Sequence, residues 1–403
     1  MTSKRKILMV SPVVPYPLRE NGTALRYLPV IDSLHSQYQL DIVIIDDVDA
    51  DKINGLAQHC SRYAVVKKPA KGAFSFFEKI YMNISRLLPW TIPYAFQYYQ
   101  SARVRREITQ AAGDEYNLVI WITAACLTLL PGIKKKLAID AVIIDFIDSP
   151  YLLTQRQMAT QKKTGLIQRY ELWKTRRWEK KIQHSVDNVI YISDIDAGAT
   201  GEPAADVTVI PNGVNIDDYS EAGDIHFDGP TIGYLGNMSY GPNVDAVLWV
   251  YNNLLVRLND ASIRLVVIGK DPHEKIKALS TDPRVVVTGM VENIWEYVNA
   301  VDIFVLPIFT GAGLKNKVLE LMYAGKPLIT TEIGNEGIDA KDGNHVYICK
   351  TADEFTERLE YLFEHDEVCR DMGAQAKAFV EAKFEWSAII ERFHDVIRRS
   401  IKA

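Results

Sequence analysis

Short unbroken apolar runs alternate with stretches of helical spacing along most of the chain. KILMV (Lys6–Val10) and LDIVII (Leu40–Ile45) flank RYLPVIDSLHSQ, whose apolar positions recur at helical intervals. YAVVKK, NLVIWIT, AVIIDFID, NVIYIS and VTVIPNG follow, with helical patterns between most of them, notably Leu166–His184. Runs without polar interruption suit strands covered on both faces, and their alternation with helices predicts a parallel sheet. Several runs end in Asp, Asn, Ser or Thr, as strands entering functional loops do.

The alternation breaks at the polar, acidic, turn-rich NIDDYSEAGDIHFDGP (Asn215–Pro230), which reads as a linker, and restarts with TIGYLGNMS. IRLVVIGK, RVVVTGM, DIFVLP, PLITT and HVYIC then follow with helical segments among them. The expected architecture is α/β: two Rossmann-like, doubly wound parallel-sheet domains facing across a cleft. The N-terminal domain is expected over 1–216 and the C-terminal domain over 229–385. A last helix, 386–403, is expected to return to the N-terminal domain. Such sheets bind ligands at the carboxyl ends of their strands, which makes the cleft the default site.

Composition narrows the function classes. The chain has 403 residues, more than one core can serve, and a net charge of −5, which argues against general nucleic-acid binding. Four scattered cysteines (Cys60, Cys126, Cys349, Cys369) form no CxxC pair and read as thiols of a reducing compartment. The N-terminal apolar run is too short for a signal peptide, and no stretch approaches the roughly 18–20 apolar residues of a spanning helix. The expected location is cytoplasmic, at most peripheral at the inner membrane face.

The chemistry concentrates in LPIFTGAGLKNKVLELMYAGKPLIT (Leu306–Thr330). Gly311 and Gly313 let backbone approach a ligand, and the amides at the start of the next helix face an anion. Lys315 and Lys317, flanking Asn316, add positive charge, so a phosphate or diphosphate is the natural guest. Glu320, about one turn inside the helix, suits two sugar hydroxyls such as a ribose diol. Together they point to a nucleotide diphosphate; a solvated helix start with a surface glutamate is the plain alternative. The Asp-x-Asp within DDVDAD (Asp46–Asp51) reads as a solvated acidic turn. The eight histidines show no metal-ligand spacing, so no metal or other cofactor is expected.

GAGLKNKVLELMYAGKPLITT, continuing to GNEGI, resembles the donor-site segment of GT-B retaining glycosyltransferases of glycosyltransferase family four. The bacterial exopolysaccharide-type sugar transferases are the branch it looks most like. SPVVPYPLRENGTALRYLPVIDSL, IIDFIDS, RRWEKKI, DNVIYIS, VIPNGVN and YLGNMSYGPNVDAV extend the resemblance over nearly the whole chain. It implies that Glu320 is the ribose-binding second glutamate of a Glu-x7-Glu signature, whose first glutamate falls on Ala312 and is missing. The backbone of Gly313, Leu314 and Lys315 would then contact sugar and phosphate. Many relatives carry an Arg and a Lys on the diphosphate where this chain has Asn237 and Asn243, so Lys317 is expected to compensate; a solvent-facing lysine is the alternative. Gly22 is expected to face the diphosphate, and Arg26, Asp145 and Asp148 the acceptor. Arg26 could instead form a surface salt bridge, and Asp148 could cap the next helix rather than orient or deprotonate an acceptor hydroxyl.

Two stretches suggest a surface role. FSFFEKIYMNISRLLPWTIPYAFQYY (Phe74–Tyr99) is aromatic-rich, and KKTGLIQRYELWKTRRWEKK (Lys162–Lys181) is a basic amphipathic helix. Either could rest on an anionic leaflet, or they could form an acceptor wall and packing under the sheet. The reading is a metal-independent, retaining glycosyltransferase using a nucleotide diphosphate sugar and a glycan or lipid-linked acceptor, with Lys317 and Asp148 as catalytic candidates. Its rivals are a catalytically impaired nucleotide-sugar-binding partner and a nucleotide-sugar 2-epimerase. A nicotinamide oxidoreductase is disfavoured because SPVVPYPLRENG lacks the GxGxxG turn.

Overall fold

The computed structural model describes residues 4–401 apart from 19–20, 49, 69–75, 98–100, 124–126, 160, 162, 205, 215–218, 220–223 and 259. Asp49, Cys126, Lys162, the start of the aromatic-rich stretch and most of the 215–223 segment therefore lie outside the described residues. The chain divides into two compact units, 1–211 with 387–403, and 212–386.

The first unit is built on seven strands: β1 (Lys6–Ser11), β2 (Gln39–Ile45), β3 (Arg62–Val66), β4 (Glu115–Ile122), β5 (Ala138–Ile147), β6 (Asn188–Tyr191) and β7 (Val207–Val209). They lie in the order β3-β2-β1-β4-β5-β6-β7, every pairing parallel. Ile7, Leu8, Met9 and Val10 are all fully buried, which is why β1 shows no apolar–polar alternation. Four helices matter below: α1 (Gly22–Gln37), α2 (Phe76–Leu87), α3 (Pro150–Ala159) and α4 (Leu166–Gln183). The sheet reverses direction of growth between β1 and β4, a topological switch point.

The second unit has six strands: β8 (Thr231–Leu235), β9 (Arg264–Ile268), β10 (Val285–Gly289), β11 (Ile303–Leu306), β12 (Leu328–Thr330) and β13 (Tyr347–Ile348). Their order is β10-β9-β8-β11-β12-β13, again parallel, so its switch point lies between β8 and β11. Helix α5 (Gly241–Val250) follows the loop after β8, and α6 (Asn316–Tyr323) follows the loop after β11. The strand-end loops are packed backbone on backbone. Gly269 sits at φ +149°, where an added Cβ would lie 1.7 Å from the Gly236 carbonyl oxygen.

The sequence reading carries the first domain to 216, whereas the first unit ends at Pro211. Residues just beyond it are held within the second unit. The Asn212 side chain donates to Asn316, Val214 bridges to Glu385, and Tyr219 packs edge-on against Trp295 and Tyr323. The terminal helix α7 (Trp386–Ser400) joins the first unit, where His394 meets the Ser33 hydroxyl at 2.8 Å and Phe393 packs on Tyr27.

Candidate active site

In the second unit the loop after β11 makes its turns at two glycines, Gly311 at φ +121° and Gly313 at φ +70°. A side chain would strain the backbone at either position. Lys315 then occupies the N-cap position of α6, and Val318 N–H is bonded back to the Lys315 carbonyl. The amides ahead of Val318 have no acceptor within the helix, which leaves the helix mouth suited to an anion. Leu314 is buried, so only its backbone is placed to meet a ligand. Asn316 turns its Oδ1 to the Asn212 amide at 2.6 Å, which ties the PNGV segment to the helix start. The Lys315 ammonium folds over its own loop and donates to the carbonyls of Ala312 at 2.8 Å and Gly313 at 2.5 Å. Glu320 is partly exposed one turn inside the helix.

Lys317 is the lysine drawn inward. Its ammonium donates to Tyr234 Oη at 2.9 Å and to Asn243 Oδ1 at 2.7 Å, and lies 4.6 Å from the Tyr234 ring centre. Tyr234 closes the triangle by donating its hydroxyl to Asn243 Oδ1 at 2.9 Å. Tyr234 stands near the carboxyl end of β8, so the triangle spans the β8–β11 switch point. Burial first, and the neighbouring Lys315 second, lower the Lys317 pKa to about 7. Asn243 Nδ2 donates to the Asn237 carbonyl at 2.8 Å, while Asn237 Oδ1 accepts from the Ser239 amide and hydroxyl. Lys317 is therefore bonded to one of the two asparagines singled out in the sequence and one step from the other. The solvent-facing alternative does not hold for it.

The first unit corrects two expectations. Arg26 and Asp145 are both fully buried. Arg26 Nε and Nη2 donate to Asp145 Oδ2 at 3.0 and 2.7 Å, and Nη2 also reaches the Ile210 carbonyl at 3.0 Å. A pair so enclosed holds α1 to β5 and is not presented to an acceptor. Nor is it the surface salt bridge considered for Arg26. Asn21 caps α1, accepting from Ala24 N–H at 2.9 Å, and Gly22 beside it would place a Cβ in open space.

Beyond Asp145 the strand bulges, and Ile147 sits at φ +64°. Thr123, at the end of β4, sits at φ +58° and donates its amide to the Asp145 carbonyl. Positive φ at β-branched residues is strained, by roughly 1–3 kcal/mol each. The strained turn delivers Asp148, partly buried, at the carboxyl edge of the sheet. Ser149 caps α3, its hydroxyl accepting from Leu152 N–H at 3.2 Å.

Behind that turn lies a polar network that sequence patterning missed. Glu179 on α4 is fully buried and accepts from Tyr151 N–H at 2.8 Å and Tyr191 Oη at 2.9 Å. Burial raises its pKa to about 7, with nearby Asp196 adding to the shift. Asp196 accepts from Ser149 N–H at 2.8 Å. Nothing local in the basic run RRWEKKI marks Glu179 for burial. Tyr234 and Asn212 were likewise quoted in YLGNMS and PNGV without a role; a phenol one residue before the end of the first strand was the available signal.

Residues 229–365 match the family model described as Glycosyl transferases group 1. Trehalose synthase of Pyrococcus horikoshii is 35% identical over 92 residues, covering 23% of this chain and 22% of that protein's own length. The solved structure of sucrose-phosphate synthase from Thermosynechococcus elongatus is similar with a TM-score of 0.70 at 14% identity, over 98% of this chain and 99% of that one. Anabaena HepE, solved in complex with UDP-glucose, has a TM-score of 0.69 at 14% identity, over 97% and 99%. The two parallel-sheet units thus have the GT-B fold.

Proposed function

We propose that the protein transfers a sugar from a nucleoside diphosphate sugar to an acceptor hydroxyl, retaining the anomeric configuration and without a resident metal. The observation that carries this reading is Lys317, held by Tyr234 and Asn243 at the switch point of the second unit beside the mouth of α6. The group 1 match over the same unit and the UDP-glucose complex of HepE support it.

In this reading the diphosphate lies against the α6 amides and Lys317, and the ribose diol against Glu320. As the bond from the sugar's anomeric carbon to the diphosphate breaks, charge grows on the leaving phosphate. A preorganised ammonium and helix amides stabilise that charge more than the ground state. Lys315, bound to its own loop carbonyls, shapes the loop and adds a positive field. Asp148, at the edge of the first unit's sheet, orients the acceptor hydroxyl. Retention, and a role in bacterial polysaccharide or glycoconjugate synthesis, rest on the resemblance of the 311–338 segment to the exopolysaccharide-type transferases. Ala312, where that pattern has a carboxylate, keeps a second reading open: a nucleotide-sugar binder without turnover.

Calorimetric titration with UDP, GDP, ADP and CDP tests the donor site. At least one should bind, and Glu320→Gln should weaken it about ten-fold, or roughly 1–2 kcal/mol, because an amide offers one acceptor oxygen to the ribose diol. Binding of none of the four, or unchanged affinity in the variant, would overturn the assignment.

A further inference from the structure

The exposed apolar residues of this protein are not scattered. Among the described residues, eight of the fourteen large exposed hydrophobics lie on α2, on α4 or in the segment between Leu87 and Tyr94. The most exposed are Leu166 at 84%, Leu87 at 76%, Trp90 at 74% and Ile167 at 61%. The two helices bring them together. Tyr170 on α4 donates to the Leu87 carbonyl at 2.9 Å, and Lys174 donates to the Ser85 carbonyl and the Thr91 hydroxyl, each at 3.1 Å. Tyr94 N–H is bonded to Glu171 at 2.8 Å. A monomer seldom leaves so continuous an apolar face without using it.

A cavity of about 370 Å³ opens in this face. Leu127, Leu130 and Trp178 form apolar wall, while Lys174, Arg177 and Lys181 are its cations. No carboxylate is among its described lining residues. Helix α4 carries six cations and two acids, Glu171 and Glu179. Glu171 is turned to Tyr94 and to the cavity's own Lys174, and Glu179 to Tyr151 and Tyr191, so the charge left at the mouth is that of Arg177 and Lys181. Arg177 lies over the Trp173 ring at 5.7 Å, an apolar platform carrying a cation.

We propose that the α2–α4 face is a docking surface for an anionic lipid leaflet, with the cavity receiving a lipid phosphate head group. Exposed leucine, isoleucine and tryptophan enter the head-group region, and Arg177 and Lys181 pair with phosphate at the cavity mouth. An overall negative chain would be repelled from such a leaflet unless cations stood where it docks, as Arg177 and Lys181 do at this cavity. The proposal goes beyond sugar transfer and does not depend on it. It is compatible with a lipid-linked acceptor, which would reach the protein from the same leaflet.

The full chain is tested by flotation with vesicles of phosphatidylcholine alone and of phosphatidylcholine mixed with phosphatidylglycerol. Binding should require the anionic lipid and weaken as salt rises. The double variant Arg177→Glu, Lys181→Glu should weaken it ten-fold or more, and Leu87→Ser with Trp90→Ser should weaken it through the apolar contribution alone. Both variants should keep the wild-type melting temperature and nucleotide binding, since all four residues belong to the first unit and the proposed nucleotide site to the second. Equal binding to neutral and anionic vesicles, or charge-reversed protein that floats like wild type, would overturn the proposal. So would a wild-type dimer by light scattering that Trp90→Ser splits, because the face would then be covered by a second copy.

Discussion

An ammonium kept near a pKa of 7 is a poor resident and a good receptor. Lys317 gives up hydration to sit against the Tyr234 ring, with Lys315 close by. In the proposed reading its charge is compensated by the incoming diphosphate. Because free Lys317 is partly neutral at pH 7 and above, binding should draw in a proton, with affinity full below about 7 and falling as pH rises. Calorimetric heats of nucleoside diphosphate binding at pH 8 should therefore vary with the ionisation heat of the buffer, and Lys317→Ala should abolish that dependence. The same variant should lower kcat by about 10²-fold while changing donor affinity less, since the leaving charge is largest in the transition state. Asn237→Arg in that background should recover part of the rate, given that Asn243 links the two positions. A variant with wild-type kcat and wild-type heats would mean that Lys317 serves packing alone. The lysine was legible from the sequence because charge beside a glycine loop is a local property, whereas the two asparagines were singled out only by the resemblance to relatives that carry Arg and Lys there. The Arg26–Asp145 pair was misread because its partners lie 119 residues apart and their burial has no local signature.

At the scale of elements, the alternating strands and helices were legible because a doubly wound sheet buries its strands on both faces and leaves their runs purely apolar. The unit boundary was harder. PNGV looks like any turn, and only the Asn212–Asn316 bond and the Val214–Glu385 bridge show that the second unit begins there. The network joining α3, α4 and β6 was also invisible, since a glutamate within a basic run looks solvated. Glu179 has its pKa raised from 4.5 to about 7 by burial. The native state therefore holds a proton that the unfolded chain has lost. Its contribution is full below about pH 4.5 and is lost as pH rises through about 7, on the order of 3 kcal/mol across the window. Glu179→Gln keeps the shape and removes the titration. The melting temperature of the variant should gain on that of wild type as pH rises from 4.5 to 7. Parallel profiles would show that Glu179 is charged throughout and that the network works otherwise.

At the scale of the molecule, each unit is a parallel sheet with a switch point, and each brings different chemistry to its carboxyl edge. The second unit presents helix amides, Lys317 and Glu320. The first presents a strained turn carrying Asp148 and, elsewhere on its surface, the α2–α4 face. Among the described residues no helix is long and apolar enough to cross a membrane, so contact with lipid would be made from the surface. The apolar patch was foreshadowed by two stretches of sequence, but that they share one face and enclose a cavity depends on the pairing of α2 with α4. The central claim is nucleotide-sugar transfer driven by Lys317 without a metal. The most direct measurement is turnover of a panel of UDP-, GDP-, ADP- and CDP-sugars in excess EDTA, by wild type and Lys317→Ala, reading release of the nucleoside diphosphate. The expected result is release from at least one donor by wild type, undiminished by chelator, and a loss of about 10²-fold in the variant. Release that stops with EDTA and returns with Mg²⁺ or Mn²⁺, or no release from any donor that binds, would contradict it.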